Sequence, residues 1–165
     1  MYSVGDRVFY GVHGVCIVQD IQEQSFLGQK KDYYVLSSIQ NDSLQLYYPV
    51  HAKDSKLSSI ISRVQSEQLL NVFKNAPDTW HDRATERHQL YQKILLSNEH
   101  EKVAQMINTI IRKKFELEQQ DKKLPSQDAQ TLAHVLSIFC EELAIGLEIS
   151  SHEVSDKIED IILEH

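Results

Sequence analysis

The chain has 165 residues, 41% hydrophobic and 25% charged, with 17 Lys plus Arg against 24 Asp plus Glu and a formal net charge of -7. That length accommodates one or two small domains and excludes a large multidomain enzyme, while the ordinary composition excludes a disordered, collagen-like or low-complexity chain. Cys16 and Cys140 are too far apart to encode a disulfide framework or a four-ligand zinc ribbon, and MYSVGDRVFY has no basic stretch followed by an apolar one, so a cytoplasmic protein without a membrane segment is expected.

The first half of the chain reads as strands. Short runs rich in Val, Ile, Tyr and Phe occur at Arg7 to Tyr10, Val15 to Ile21, Tyr33 to Leu36 and Leu44 to Val50. Turn signals separate them at Gly11 to Gly14, Leu27-Gly28 and Asn41-Asp42-Ser43. The pattern predicts a small antiparallel, barrel-like sheet, which at this size buries only about 60% of its unfolded surface and gains from a neighbour.

Beyond Ser66 the apolar period changes from two to about 3.6, the helical value. Ser66 reads as the N-cap of a first helix carrying Leu69, Leu70 and Phe73, which Pro77 stops because the residue before proline avoids the helical region. Asp78 then reads as the cap of a second helix, with Trp80, Ala84, Tyr91, Ile94 and Leu95 along one face. A third helix carries Val103, Met106, Ile107, Ile110, Ile111 and Leu117. A fourth, opened by Pro125, carries Leu132, Val135, Leu136, Phe139, Leu143 and Leu147. Val154, Ile158, Ile161 and Ile162 mark a fifth. The fold class is therefore α+β, with a domain of strands over 1–62, a helical domain over 63–148 and an acidic helical extension over 149–165.

Charge is unevenly spread. Residues 124–165 hold one basic and nine acidic side chains, whereas residues 71–123 hold ten basic and eight acidic. Any nucleic-acid surface therefore falls in the middle segment, around Arg83, Arg87, Lys93, Arg112, Lys113 and Lys114. No phosphate-cradling glycine loop, nucleophile elbow or HExxH helix occurs, and the HxxC pair His13 and Cys16 has no second pair nearby. Neither catalysis, a metal nor a cofactor is expected.

The arrangement VGDRVFYGVHGVCIVQDI, then YYVL, then LQLYYPV, resembles the N-terminal domain of the CarD/CdnL family of bacterial transcription regulators. Ala76-Pro77-Asp78-Thr79-Trp80-His81-Asp82-Arg83 resembles the tryptophan-bearing helix start of that family's C-terminal domain, and Glu141-Glu142-Leu143-Ala144 resembles its closing helix. The likeness covers about residues 1–148. It implies a Tudor/SH3-like barrel that docks on the RNA polymerase β subunit, and a helical domain that reaches promoter DNA at the upstream edge of the transcription bubble. By the same resemblance Trp80 is a wedge at an unstacked step, with Arg83, Arg87 and Lys93 on phosphates; a monomer is expected. The polymerase-binding surface is expected on Leu44, Gln45, Leu46, Tyr47 and Pro49, facing Gln24 in the Gln24 to Gly28 loop. Leu44, Leu46 and Tyr48 are expected to alternate inward, with Gln45 and Tyr47 outward. This chain departs from the family in carrying Gln24 and Tyr47 where some members have basic residues, Asp82 two positions after the tryptophan, and Ser97-Asn98-Glu99 at the following turn. The alternative reading is a two-domain protein-interaction adaptor with no DNA contact, which the acidic C-terminal segment favours.

Overall fold

The structure, a computed structural model, describes residues 1–165, the side chain of Val12 excepted. The chain forms two compact units, Met1–Ile60 and Ile61–His165.

The first unit is an antiparallel sheet of β1 (Arg7–Tyr10), β2 (Val15–Phe26), β3 (Gln29–Ser38), β4 (Gln45–Pro49) and β5 (Leu57–Ser59), in the order β4-β3-β2-β1-β5. β2 and β3 run further than their apolar stretches, because every residue from Gln22 to Phe26 pairs with one from Tyr33 back to Gln29. The two-residue turn between them, Leu27 at φ 51° and Gly28 at φ 79°, has the positive φ values of a type I′ hairpin, whose twist matches that of the strands. Val8, Cys16, Val18, Tyr34, Leu36, Tyr48 and Leu57 bury one face. A bulge between Val18 and Asp20 inserts an extra residue into β2, after which Ile21 takes over the inward position. Tyr10 and Tyr48 stack edge to face at 5.1 Å although two strands separate β1 from β4. The sheet thus curls upon itself in the Tudor-like manner expected. β5 carries no strand signal in the sequence: Leu57 is its one apolar residue, and pairing with β1 rather than β propensity makes it a strand.

The second unit comprises α1 (Arg63–Asn71), α2 (Ala84–Leu96), α3 (His100–Gln119), α4 (Ser126–Leu147) and α5 (Ser151–Glu164). The cap of α1 is Ser62 rather than Ser66. Ser62 and Gln65 form a reciprocal capping box, which satisfies two orphan amide groups that Ser66, one turn later, could not reach. Ser66 is instead fully buried, donating its hydroxyl to the Ser62 carbonyl at 2.9 Å. It lies against α4, where a Cβ built on Gly146 would come within 2.3 Å of its Oγ. The second helix also begins later than expected. Asp78 does not cap it, since the backbone from Asn75 to Arg83 is non-helical and α2 starts at Ala84.

The helical core gathers Phe73, Ile107, Ile110, Leu143 and Ile158, all fully buried and each worth about 1.5–3 kcal/mol of transfer free energy. Val154, Ile158 and Ile162 bring α5 into this same core, so the expected acidic extension is instead one layer of the bundle, with its charges facing outward. α3 and α4 are also joined by a polar contact. Glu142, 1% exposed, lies 2.8 Å from His100 Nε2, and this hydrogen bond outweighs desolvation and raises the His100 pKa above its ordinary value.

Candidate functional site

Two surfaces collect the residues singled out by sequence, one in each unit. In the helical unit the segment from Asn75 to Arg83 lacks internal helical hydrogen bonds, and side chains of neighbouring helices hold it instead. From α3, Asn108 Nδ2 donates to the Asn75 carbonyl at 3.0 Å and Gln105 Nε2 to the Ala76 carbonyl at 2.9 Å. Thr109 Oγ1 accepts from the Asp78 amide at 3.0 Å. From α2, Arg87 Nη1 donates to the carbonyls of His81 and Asp82 at 2.9 and 3.0 Å.

Trp80 sits at the crest of this segment, half-buried against the bundle core. The Arg87 guanidinium carbon lies 4.7 Å from its ring centroid and Lys113 Nζ 5.7 Å, both within cation-π range. A cleft beside the ring is lined by Leu90, Tyr91, Ile94 and Met106. The tryptophan is therefore neither a core residue nor a freely projecting one. Its indole is half-buried, packed against the core with two cations within reach of the ring.

Arg87 is expected on phosphate, and the structure places it elsewhere. Its side chain is 6% exposed and forms a two-pronged ion pair with the fully buried Asp128, Nε to Oδ1 at 3.0 Å and Nη2 to Oδ2 at 2.8 Å. Tyr91 donates its hydroxyl to the same carboxylate at 2.9 Å. Burial pushes the Asp128 carboxyl up, but the hydrogen bonds from Arg87 and Tyr91 outweigh it and hold the group ionised, below the usual carboxylate range. Asp128 also stands in the first turn of α4, where the helix dipole favours negative charge. With four of its five N–H donors spent inside the fold and its side chain buried, this arginine is not presented to DNA.

The other expected contacts remain available. Arg83 is exposed three residues after Trp80, with Glu86 3.9 Å away, and Lys93 is exposed on α2. Arg112 is spent on the Asn108 side chain at 2.9 Å and the Phe73 carbonyl at 2.7 Å. Lys113 belongs to the middle basic set, but nothing in the sequence joins it to Trp80. The two lie on different elements, with no periodicity linking them, so only the fold brings them together.

In the first unit, β4 is an edge strand, paired on one side with β3. Leu46 and Tyr48 turn inward, while Gln45 is exposed and Tyr47 is 53% exposed on the outer face. Leu44 precedes the strand and Pro49 ends it, both half-buried. Gln24 lies not in a loop but within β2, and with Phe26, Tyr33 and Tyr47 it lines a shallow hollow. Phe26 and Tyr33 stack edge to face at 6.0 Å, and Phe26 and Leu27 are exposed at the hairpin tip. Exposed aromatics beside an open strand edge are the composition of an interface centre. Phe26 and Leu27 fall within the expected Gln24 to Gly28 stretch, and Tyr33 is the member that sequence does not single out, since nothing in its spacing tells solvent from core.

A family model described as the CarD-like/TRCF RID domain matches residues 2–64. Over 154 residues the chain is 19% identical to the Bacillus subtilis (strain 168) protein named "Putative transcription factor YdeB", an alignment covering 93% of this chain and 97% of that protein. Both findings point to transcription. The N-terminal unit thus matches the CarD-like/TRCF RID domain over residues 2–64, in keeping with the resemblance to the CarD/CdnL regulators carried by its strand motifs.

Proposed function

We propose that this chain is a non-enzymatic transcription regulator that docks on the RNA polymerase β subunit through the outer face of β4 and the β2–β3 hairpin. Through Trp80 it then stabilises the promoter open complex at the upstream edge of the bubble. The observation that carries this reading is the held, half-buried Trp80, with Lys113 over its ring and Arg83 exposed three residues on, within a unit tethered to an RID domain. An indole stacked on an unpaired base replaces lost stacking by about 1–3 kcal/mol, which slows bubble collapse. Polymerase delivers the protein to DNA, so a net charge of -7 is no obstacle to a contact made by a locally basic surface.

The test is a pair of substitutions read in two assays. Trp80→Ala should shorten open-complex lifetime while leaving co-purification with polymerase intact. Tyr47→Ala should weaken co-purification. An unchanged lifetime in Trp80→Ala sinks the wedge, and full retention of polymerase by Tyr47→Ala sinks the assigned docking face. The acidic outer face of α5, with Glu153, Asp156, Glu159 and Asp160, favours the adaptor reading without DNA contact. A polymerase-dependent, salt-sensitive shift of fork-junction DNA rules that reading out, and its absence supports it.

A further inference from the structure

We infer that Asp128 and Arg87 form a clamp that sets the position of Trp80, making Asp128 a positioning residue for the DNA contact although it touches no DNA. This rests on the wedge reading above. The segment carrying Trp80 is irregular backbone with no helix or strand to fix it, so its geometry depends on the side chains that take its carbonyls. One guanidinium performs three tasks at once. It donates to the carbonyls of His81 and Asp82, the two residues after Trp80, lies 4.7 Å from the indole centroid, and closes on both oxygens of Asp128.

Asp128 completes the arrangement from α4, on the far side of Arg87. With 0% exposure it has no other counter-ion of comparable proximity. His88 Nε2 lies 3.9 Å away and finds no hydrogen-bond partner among the described residues. The planar fork of arginine spans a carboxylate and two carbonyls together, which a lysine ammonium could not do. The rotamer of Arg87, and through it the backbone at His81 and Asp82, is thus fixed by a residue 48 positions beyond Trp80 in the chain. A loosened Trp80 would lose the entropic advantage of being held before it meets DNA.

Trp80 is the sole tryptophan, so its fluorescence reports on the clamp directly in the full-length chain. Asp128→Asn is the simplest perturbation but strands a buried guanidinium and threatens folding. The paired substitution Arg87→Met with Asp128→Leu removes both charges and keeps the volume filled, so the bundle should remain folded by circular dichroism. In that folded protein, acrylamide quenching of Trp80 is expected to rise towards its value in urea. Open-complex lifetime with polymerase is expected to fall towards that of Trp80→Ala. Unchanged quenching in the folded double variant overturns the clamp. So does a loosened Trp80 whose promoter complex lives as long as the wild type, where Trp80→Ala shortens it. If Trp80→Ala has no effect on lifetime, the wedge reading fails by itself, and quenching still decides whether the clamp holds the indole.

Discussion

Leu27→Asn should make the protein more stable and a poorer partner for polymerase. Leu27 holds φ 51° in a type I′ turn, and a left-handed backbone costs an ordinary L-residue about 1–2 kcal/mol. Asparagine tolerates this conformation, and Asn-Gly is the preferred pair for the turn, so the exchange should raise stability by about 0.5–1 kcal/mol. The leucine side chain gives nothing back to its own fold, because it is fully exposed. If docking buries it, losing that burial removes about 1.5–3 kcal/mol, a roughly ten- to hundredfold weaker complex. Guanidinium unfolding with hydrogen exchange at the β2–β3 amides measures the first effect, and titration of polymerase the second. A destabilised hairpin would refute the strain argument. A more stable variant that binds polymerase as tightly as before would show that the tip leucine lies outside the interface.

Gly146→Ala sets two effects against each other: alanine is favoured over glycine inside a helix by about 1 kcal/mol. Its Cβ would meet Ser66 Oγ at 2.3 Å and the Ile61 carbonyl oxygen at 3.0 Å, and such overpacking costs typically about 1–3 kcal/mol. A lower thermal midpoint is therefore expected, partly recovered by adding Ser66→Ala, and a raised midpoint in the single variant would show that α1 yields freely. His100→Gln tests the α3–α4 contact through pH. With the His100 pKa raised by Glu142, the stabilisation is fully present below about pH 6.5, the ordinary histidine value, and is lost as pH rises through the elevated one. The stability gap between wild type and variant should therefore shrink on going alkaline, and a gap that widens would contradict the assignment.

The parts of the fold legible in sequence are those decided by local pattern. Arg7 to Tyr10 is rich in β-branched and aromatic residues and is a strand, and the apolar positions of α3, α4 and α5 recur at helical spacing and are the core. Long-range pairing decided the rest. The polar stretch Gln22 to Ser25 has no strand signal of its own and is extended because Lys30 to Tyr33 lies opposite it. Asp78 has the chemistry of a helix cap, but its amide is taken by Thr109, thirty-one positions away, and the helix waits until Ala84. The same holds for the site. The alternation of Leu46 and Tyr48 inward against Tyr47 outward follows from a period of two, whereas Arg87 reads identically on paper whether it faces a phosphate or a buried aspartate. Only the partner distinguishes them.

The bulge between Val18 and Asp20 settles what the hairpin shows to the outside. Before it, even-numbered residues of β2, Cys16 and Val18, face the core. After it, Ile21 does, and Gln22, Gln24 and Phe26 are turned out beside Tyr33 and Tyr47. The display of the docking hollow is therefore a matter of parity. Gln19, the uncounted residue, acts as a half-twist in the ribbon: were it paired in regular alternation instead of bulged out, Ile21 and Glu23 would turn outward and Phe26 would pass to the core side. Side chains in the hollow can change one at a time and leave a graded surface, but flattening the bulge with Gln19 still in the chain would invert that surface altogether, whereas losing Gln19 with the bulge would leave it in place.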